Sequence, residues 1–407
     1  MTVRKVMVCA AVAVAGLGGV REAHADDGEN SIFSFSGFGT VGVAHSSYSG
    51  ADFKTEDTVP RGAGLSQSWS ATQMSRLGAQ IDAQFSSRFS ASIQAVSEYD
   101  YDGNYAPQIT IASAKYQLTP NVAVQGGRFV LPMYMLTEYS RVGYALPWAR
   151  PPLEMYRSYP SIDGVELANK FNLGSAALTT QVYGGRSSHH ATLTPGASTE
   201  KIDFDPVWGV TATADQGAST FRVAYVNART TISGSALSHV ASQYQQAGYG
   251  SLLDQYQATG RFGTYTALGY AYDPGDWFFR SEYAKVRGNN ATILPVFTDW
   301  YVTAGYRIEQ LTPYVIYGRD KDNGTTSIGA ADPLGYINNA LLAGDGSRHS
   351  ISLGLRWDLH ENMDVKLQFT RSTRDTSTSN NGLSDVAPGA SLPSSYNVVF
   401  AGYDFVF

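Results

Sequence analysis

Charge, cysteine and long apolar runs are all scarce in this 407-residue chain. Charged residues make up 16% of it, below the roughly 25% usual for soluble globular domains. Its one cysteine is Cys9, which leaves no zinc-finger spacing and no disulfide framework. Beyond residue 25 the longest wholly apolar run is 129–136, interrupted by Pro132, so no transmembrane helix of about 20 residues can be drawn. What is plentiful is 41 Gly, 26 Tyr and 18 Phe, with 43% hydrophobic residues overall. That composition excludes a disordered or collagenous chain and points to β structure.

Residues 1–25 read as a secretory signal. Arg4 and Lys5 precede an apolar stretch from Val6 to Val20, and Ala23-His24-Ala25 forms a small-x-small cleavage site before Asp26. The alternative, a membrane anchor, needs about 20 apolar residues where about 15 are present. Cys9 lies inside the apolar stretch rather than at its end, where a lipidated cysteine would stand. Loss of Arg4, Lys5, Arg21 and Glu22 with the leader shifts the formal charge from -6 to -8. The exported chain then holds no cysteine, neither nucleophile nor crosslink.

Without a spanning helix, a chain that meets a bilayer must cross it as strands closed into a barrel, because unpaired backbone groups in hydrocarbon cost several kcal/mol each. Alternation with a period of two over about ten residues is the test. In 75–85, Leu77, Ala79, Ile81, Ala83 and Phe85 oppose Arg76, Gly78, Gln80, Asp82 and Gln84. In 349–359, Ile351, Leu353, Leu355, Trp357 and Leu359 oppose Ser350, Ser352, Gly354, Arg356 and Asp358; in 300–308, Val302, Ala304, Tyr306 and Ile308 oppose Tyr301, Thr303, Gly305 and Arg307.

A soluble sandwich alternates too, so the connections carry the distinction. Short turns are expected at Ser86-Ser87-Arg88, Thr119-Pro120-Asn121, Leu173-Gly174-Ser175, Gln216-Gly217-Ala218, Pro274-Gly275-Asp276, Glu309-Gln310-Leu311 and His360-Glu361-Asn362-Met363. Longer polar loops alternate with them. The expected fold is an all-β transmembrane antiparallel barrel of about sixteen strands, with eighteen the alternative count. Strands start near Ile32, Ser75, Phe89, Pro107, Val122, Ser161, Ala177, Pro206, Thr220, Arg261, Trp277, Phe297, Thr312, Arg348, Asp364 and Tyr396. Aromatics beside the short turns, namely Phe85, Phe89, Tyr116, Phe171, Phe221, Trp277, Phe278, Phe279, Trp357 and Phe405, fit an interfacial girdle.

Val399, Ala401, Tyr403, Phe405 and Phe407 form a last alternating strand that ends on an aromatic. Here the chain resembles the Gram-negative outer-membrane porins, and Phe35-Ser36-Gly37-Phe38-Gly39-Thr40-Val41-Gly42 looks like the opening strand of many such proteins. Ser75-Arg76-Leu77-Gly78 and the stretch from Tyr144 to Pro152 look like an uncharacterised proteobacterial branch rather than a named sugar- or phosphate-specific porin. The resemblance implies short periplasmic turns, long extracellular loops, a third loop folded into the lumen and a homotrimer. It implies Tyr403, Phe405 and Phe407 as the signal read by the barrel-assembly machinery, with outer-membrane lipids, lipopolysaccharide and small hydrophilic solutes as further partners. Nucleic acid, cofactor and metal are not expected.

The third long connection, residues 131–160, is apolar, aromatic and proline-rich, carrying Met133, Tyr134, Met135, Leu136, Tyr139, Tyr144, Leu146, Trp148, Leu153, Met155, Tyr156 and Tyr159. Exposed loops are usually polar, so it is expected to pack inside the barrel and narrow the pore. It brings Glu138, Arg141, Arg150, Glu154 and Arg157. Parity aims Arg76, Lys115, Arg222, Arg280, Arg307, Arg356 and Lys366 at it from the wall, with Glu166 and Lys170, because Arg or Lys facing lipid costs about 2–4 kcal/mol. A basic wall opposite such a loop would favour anions; scattered, solvated charges without a focused constriction are the alternative.

An outer-membrane enzyme is the rival from another class. His45, His189, His190, His239, His349 and His360 show no assembled spacing, and no G-x-S-x-G, H-E-x-x-H or phosphate-loop pattern occurs. His189-His190 reads as a solvated loop pair. Asp320-Lys321-Asp322-Asn323-Gly324 lacks the spacing and closing Glu of a calcium loop. An energised uptake receptor would need about 22 strands and a plug ahead of Ile32; a soluble secreted β protein is the third rival. Residues 235–244 could form a short helix, for which the sequence suggests no role.

Overall fold

The computed structural model describes residues 31–56, 58–157, 160–191, 200–288, 294 and 296–407. The expected signal, with Cys9, lies outside the described residues, as does Tyr159. Sixteen long strands follow in chain order: β1 (Phe33–Ser46), β2 (Arg76–Gln84), β3 (Phe89–Glu98), β4 (Gln108–Thr119), β5 (Val122–Val130), β6 (Ser161–Leu173), β7 (Ala176–Ala191), β8 (Glu200–Gln216), β9 (Ser219–Ser233), β10 (Arg261–Tyr272), β11 (Trp277–Gly288), β12 (Phe297–Tyr306), β13 (Leu311–Asp322), β14 (Arg348–His360), β15 (Met363–Arg374) and β16 (Ser395–Val406). Each pairs antiparallel with its chain neighbours, and β1 pairs with β16 from Phe38 opposite Val406 to Ser46 opposite Val398. The sheet closes on itself, so no edge is left to pair with another chain.

All but one of the expected strand starts fall within a residue of the observed ones. The exception is β8, which begins at Glu200 rather than at Pro206. Its pairing with β9 shifts register between Phe204 and Val207, and this bulge accommodates a proline that has no N–H to give a ladder. The seven expected short turns are all present at one end. At two of them, Gly174 and Gly217 take φ of 63° and 59°, a left-handed conformation that glycine adopts without steric cost.

Alternation sorts the side chains as expected. Leu77, Ile81, Ile93, Val165, Leu167, Ile351, Leu353 and Leu355 all point outward and are exposed. A contiguous apolar band of this extent marks a surface built to contact something other than water. Phe85, Phe89, Tyr116, Phe171, Phe221, Trp277 and Trp357 stand exposed near the short-turn end. Phe278 does not join them: it lies between two outward residues, so parity turns it inward, where it is buried beneath the Arg307 guanidinium at 5.5 Å.

At the seam, Gly37 exchanges backbone hydrogen bonds of 2.8 and 3.0 Å with Phe407. The Phe407 and Phe405 rings lie over Gly37 and Gly39, where a Cβ would sit 2.2 and 2.3 Å from ring carbons. At the long-loop end, residues 52–53, 63–64 and 383–384 form a small second sheet that joins loop 1 (47–75) to loop 8 (375–394). Lys54 and Asp385 pair across it at 2.6 Å. Loop 5 folds as α1 (Ser235–Gln246) and α2 (Gly250–Tyr256), and loop 7 carries α3 (Tyr336–Ala343). The three meet through Tyr244, Leu253, Ile337 and Leu341.

Candidate constriction site

Loop 3 (131–160) lies against the inner wall and brings a dry core into the barrel. Leu136, Trp148 and Tyr156 are fully buried, packed on Tyr183, Val207, Val226, Tyr265, Tyr301, Tyr314 and Ile316 of β7 to β13. Each large apolar side chain removed from water contributes about 1.5–3 kcal/mol, which explains why a loop so rich in apolar and aromatic residues does not stay in solvent. Polar anchors fix its register. Trp148 Nε1 donates to Thr303 at 3.0 Å, the Ala149 N–H to the Tyr314 hydroxyl at 3.0 Å, and the Met135 N–H to Glu282 at 2.9 Å. The Tyr156 and Tyr301 hydroxyls also donate to Glu282. Burial, reinforced by the Glu282 charge, pushes the Tyr156 phenol well above its ordinary range.

The charges of loop 3 meet partners on the wall. Glu138 pairs with Arg222 at 3.2 Å, Arg141 with Glu98 at 2.9 Å and Glu154 with Arg348 at 3.7 Å, while Arg157 pairs with Asp320. Arg76 shares Glu98 at 3.5 Å. Arg150 is buried, its N–H donating to Gln368 at 3.2 Å.

The remaining wall residues divide into three groups. Arg280 lies under the loop with its guanidinium 5.4 Å from the Trp148 ring centre. Arg356 and Lys366 face the lumen as parity requires, yet they are buried and hold the loop from beneath. Arg356 donates to the carbonyls of Tyr144 and Leu146 at 2.8 and 3.0 Å, and Lys366 to that of Gly143 at 2.7 Å. Arg307 is not brought to the loop: it sits at the short-turn end, bound to Asp273 through two contacts of 2.7 Å. Lys115, Lys170 and Glu166 belong to the opposite wall, where Glu166 accepts from Gln181 at 3.2 Å.

The wall is not basic. Glu98, Glu282, Asp299, Asp320, Asp364 and Asp404 are interleaved with its cations, and Arg356 and Lys366 both pair with Asp364 at 3.1 Å. Parity alone would have found several of these acids: Glu282 lies two residues after Arg280, and Asp364 two before Lys366.

The lumen is therefore lopsided. The inner faces of β10 to β16 are largely buried under loops 1, 3 and 8, with Ala51, Phe53, Met74 and Leu383 packed on Val398 and Phe400. The inner faces of β2 to β7 keep half-exposed polar side chains. Gln80 donates to Asp82, Gln94 to Gln80, and Thr110 to Gln94, each at 2.8 Å. Gln125 donates to Ser113, also at 2.8 Å. The uncovered part of the lumen has this wall on one side and the exposed carboxylate of Glu138 with Tyr139 and Arg141 on the other.

Against known proteins, no family model matches the sequence and no curated protein does. Solved structures match over nearly the whole chain. The anion-selective porin from Comamonas acidovorans is 13% identical with a TM-score of 0.54, covering 92% of this chain and 99% of that one. The outer membrane channel DcaP of Acinetobacter baumannii gives 13% and 0.53, with 92% and 97% covered. OmpF of Salmonella typhi, solved with daunomycin, gives 13% and 0.52 with the same coverage. This chain has the fold of the outer-membrane porins.

Proposed function

We propose that the protein is an outer-membrane porin, a water-filled channel for passive diffusion of small hydrophilic solutes and ions, with its short turns in the periplasm and its long loops outside the cell. The carrying observation is the set of half-exposed Gln and Ser side chains on β2 to β7 inside a closed barrel whose other inner half is covered. A stable plug would have buried these side chains too. Export through the periplasm after cleavage near Ala25, assembly by the machinery that reads Tyr403, Phe405 and Phe407, and embedding among phospholipid and lipopolysaccharide belong to the same reading.

A mild preference for anions is the finer part of the proposal. Lys115 and Lys170 border the open side with Asp82 and Glu166, whose carboxylates accept from Gln80 and Gln181, whereas Glu98 and Glu138 are each engaged by arginine. Fixed charge acts over about 8 Å at physiological salt, so the lining outweighs the acids of the distant loops. A homotrimer is proposed on the outward face of β2 to β4, where Ala79 lies opposite Ala95, Ala83 opposite Ala91, and Ala91 opposite Ala114. These small residues flank the exposed Ile81–Ile93 pair, leaving shallow recesses in which a neighbouring barrel's side chains can seat. Planar-bilayer recording tests the function. The expected result is stepwise ohmic conductance with a reversal potential of anionic sign in a KCl gradient; absence of conductance from correctly folded protein overturns the porin reading.

A further inference from the structure

Six half-exposed side chains on the uncovered wall form one hydrogen-bonded panel. Gln80 on β2 lies opposite Gln94 on β3, Asp82 opposite Ser92, and Ser92 opposite Ser113 on β4. Gln125 reaches Ser113 from β5. The bonds run one way: buried Thr110 donates to Gln94, Gln94 to Gln80 and Gln80 to Asp82, which also accepts from Ser92. A chain of this kind that ends on a carboxylate polarises each bond along it, and it holds the amides in fixed orientations.

An amide nitrogen carries two donors, and among the described residues Gln80, Gln94 and Gln125 each give only one away. The Asp82 carboxylate offers about four acceptor sites and accepts from Gln80 and Ser92 alone. Free donors and acceptors therefore alternate at about 5 Å, the spacing of neighbouring strands. A hydroxyl group donates and accepts at once, so a solute rich in hydroxyls matches such a surface. An organic anion would bring its charge against Asp82, and a cation would leave the amide N–H groups unmet. Lys115 and Glu166, the register partners of Gln125 on its two sides, are opposite in sign and balance one another.

Beside the panel the wall is bare. Ser113 lies opposite Gly127, Gly127 opposite Gly164 and Gly164 opposite Gly185. Gly127 stands between inward Gln125 and Phe129, and Gly164 between inward Ile162 and Glu166. These glycines permit close backbone approach, since a Cβ on Gly164 would sit 2.2 Å from the Gly184 oxygen. They also leave a strip about 10 Å wide without side chains, over which a ring held by the panel can lie.

We propose that the panel is a binding site for an uncharged polyhydroxylated solute, a sugar, with its hydroxyls on Gln80, Asp82, Gln94 and Gln125 and its ring over the glycine strip. This rests on the channel reading and names a solute class that the open wall retains longer than it retains salt ions. Binding is weak, in the millimolar range, as a diffusion channel requires if solutes are to leave as well as arrive.

The test uses sucrose as probe and polyethylene glycol of matched hydrodynamic radius as the control for obstruction and viscosity, with current block in bilayers and saturation-transfer NMR on the detergent-folded barrel. Wild type should bind sucrose saturably, whereas the polymer should lower the current only in proportion to its concentration. Gln80→Met combined with Gln94→Met keeps side-chain length while removing both amides, and should weaken sucrose binding roughly tenfold. Gln94→Met and Gln125→Met taken singly should each weaken it about threefold, and they decide the matter if the double variant does not fold. Arg319→Gln, an outer-face arginine paired with Asp375, should leave binding unchanged. Non-saturable sucrose, equal behaviour of the polymer, or methionine variants that bind like wild type overturn the site. Normal conductance with no saturable sucrose binding defeats this inference alone, whereas saturable, variant-sensitive binding without conductance supports the site and defeats the channel reading.

Discussion

Lys366 Nζ stands 2.7 Å from the carbonyl oxygen of Gly143, tying β15 to the tip of loop 3 across 223 residues of chain. The same ammonium lies 2.8 Å from Asp404 and 3.1 Å from Asp364, with Arg356 beside it on the Tyr144 and Leu146 carbonyls. A fully buried lysine is tolerated here because two carboxylates and a carbonyl replace its water. The arrangement turns two wall cations into fasteners rather than selectivity charges.

Lys366→Met should leave Asp364 and Asp404 buried against each other and destabilise the barrel by about 3–5 kcal/mol, the usual consequence of removing one partner from a buried pair. Adding Asp404→Asn should recover part of the loss. Urea unfolding of refolded protein in vesicles measures both.

Trp148→Ala removes the fully buried ring on which loop 3 is seated, together with its hydrogen bond to Thr303. A truncation of this size costs about 3–5 kcal/mol, enough to unseat the loop locally without opening the barrel. Single-channel conductance should rise and become noisier, while the folded band on a cold gel is retained.

Phe407→Ser and Gly37→Val should fail in the same way. One removes the ring that covers the glycine and the other forces that ring away, since a Cβ at Gly37 would sit 2.2 Å from it. Both weaken the β1–β16 seam that closes the sheet. Slower formation of the heat-modifiable band during refolding is the readout.

Glu56, in loop 1, has its carboxyl pushed up by burial and by the nearby Glu98 carboxylate, against the pull of Arg76, Arg141 and Arg150. A raised carboxyl favours the folded loop in its protonated form. That contribution is full below the ordinary glutamate range and is lost as pH climbs through the raised value. Glu56→Gln should therefore protect residues 52–74 from hydrogen exchange more than wild type at pH 7, and no more than wild type near pH 4.

Strand parity carried most of the fold into view from sequence. The outward Leu and Ile residues, the short turns and the aromatic loop 3 all follow from local chemistry, because burial on one face imposes a period of two. Parity separates lumen from lipid, but it does not tell which part of the lumen stays wet. That depends on loops returning from distant parts of the chain, so Lys115 and Lys366 carry the same signature although one borders water and the other is sealed under Gly143. The inward fold of loop 1 was hidden for the same reason: Phe53 and Met74 are isolated apolar residues in a polar stretch, and they acquire a core only beside Leu383, Val398 and Phe400.

The central claim is that solutes pass along β2 to β7 and not beneath loop 3. No cysteine follows residue 9, so single introduced thiols report on this directly. Ser113→Cys lies on the open wall, and Ser352→Cys lies on the covered one, where Ser352 is 3% exposed. A negatively charged, water-soluble methanethiosulfonate added during bilayer recording should cut the current of Ser113→Cys and leave that of Ser352→Cys unchanged. Block at Ser352→Cys with none at Ser113→Cys would contradict the account.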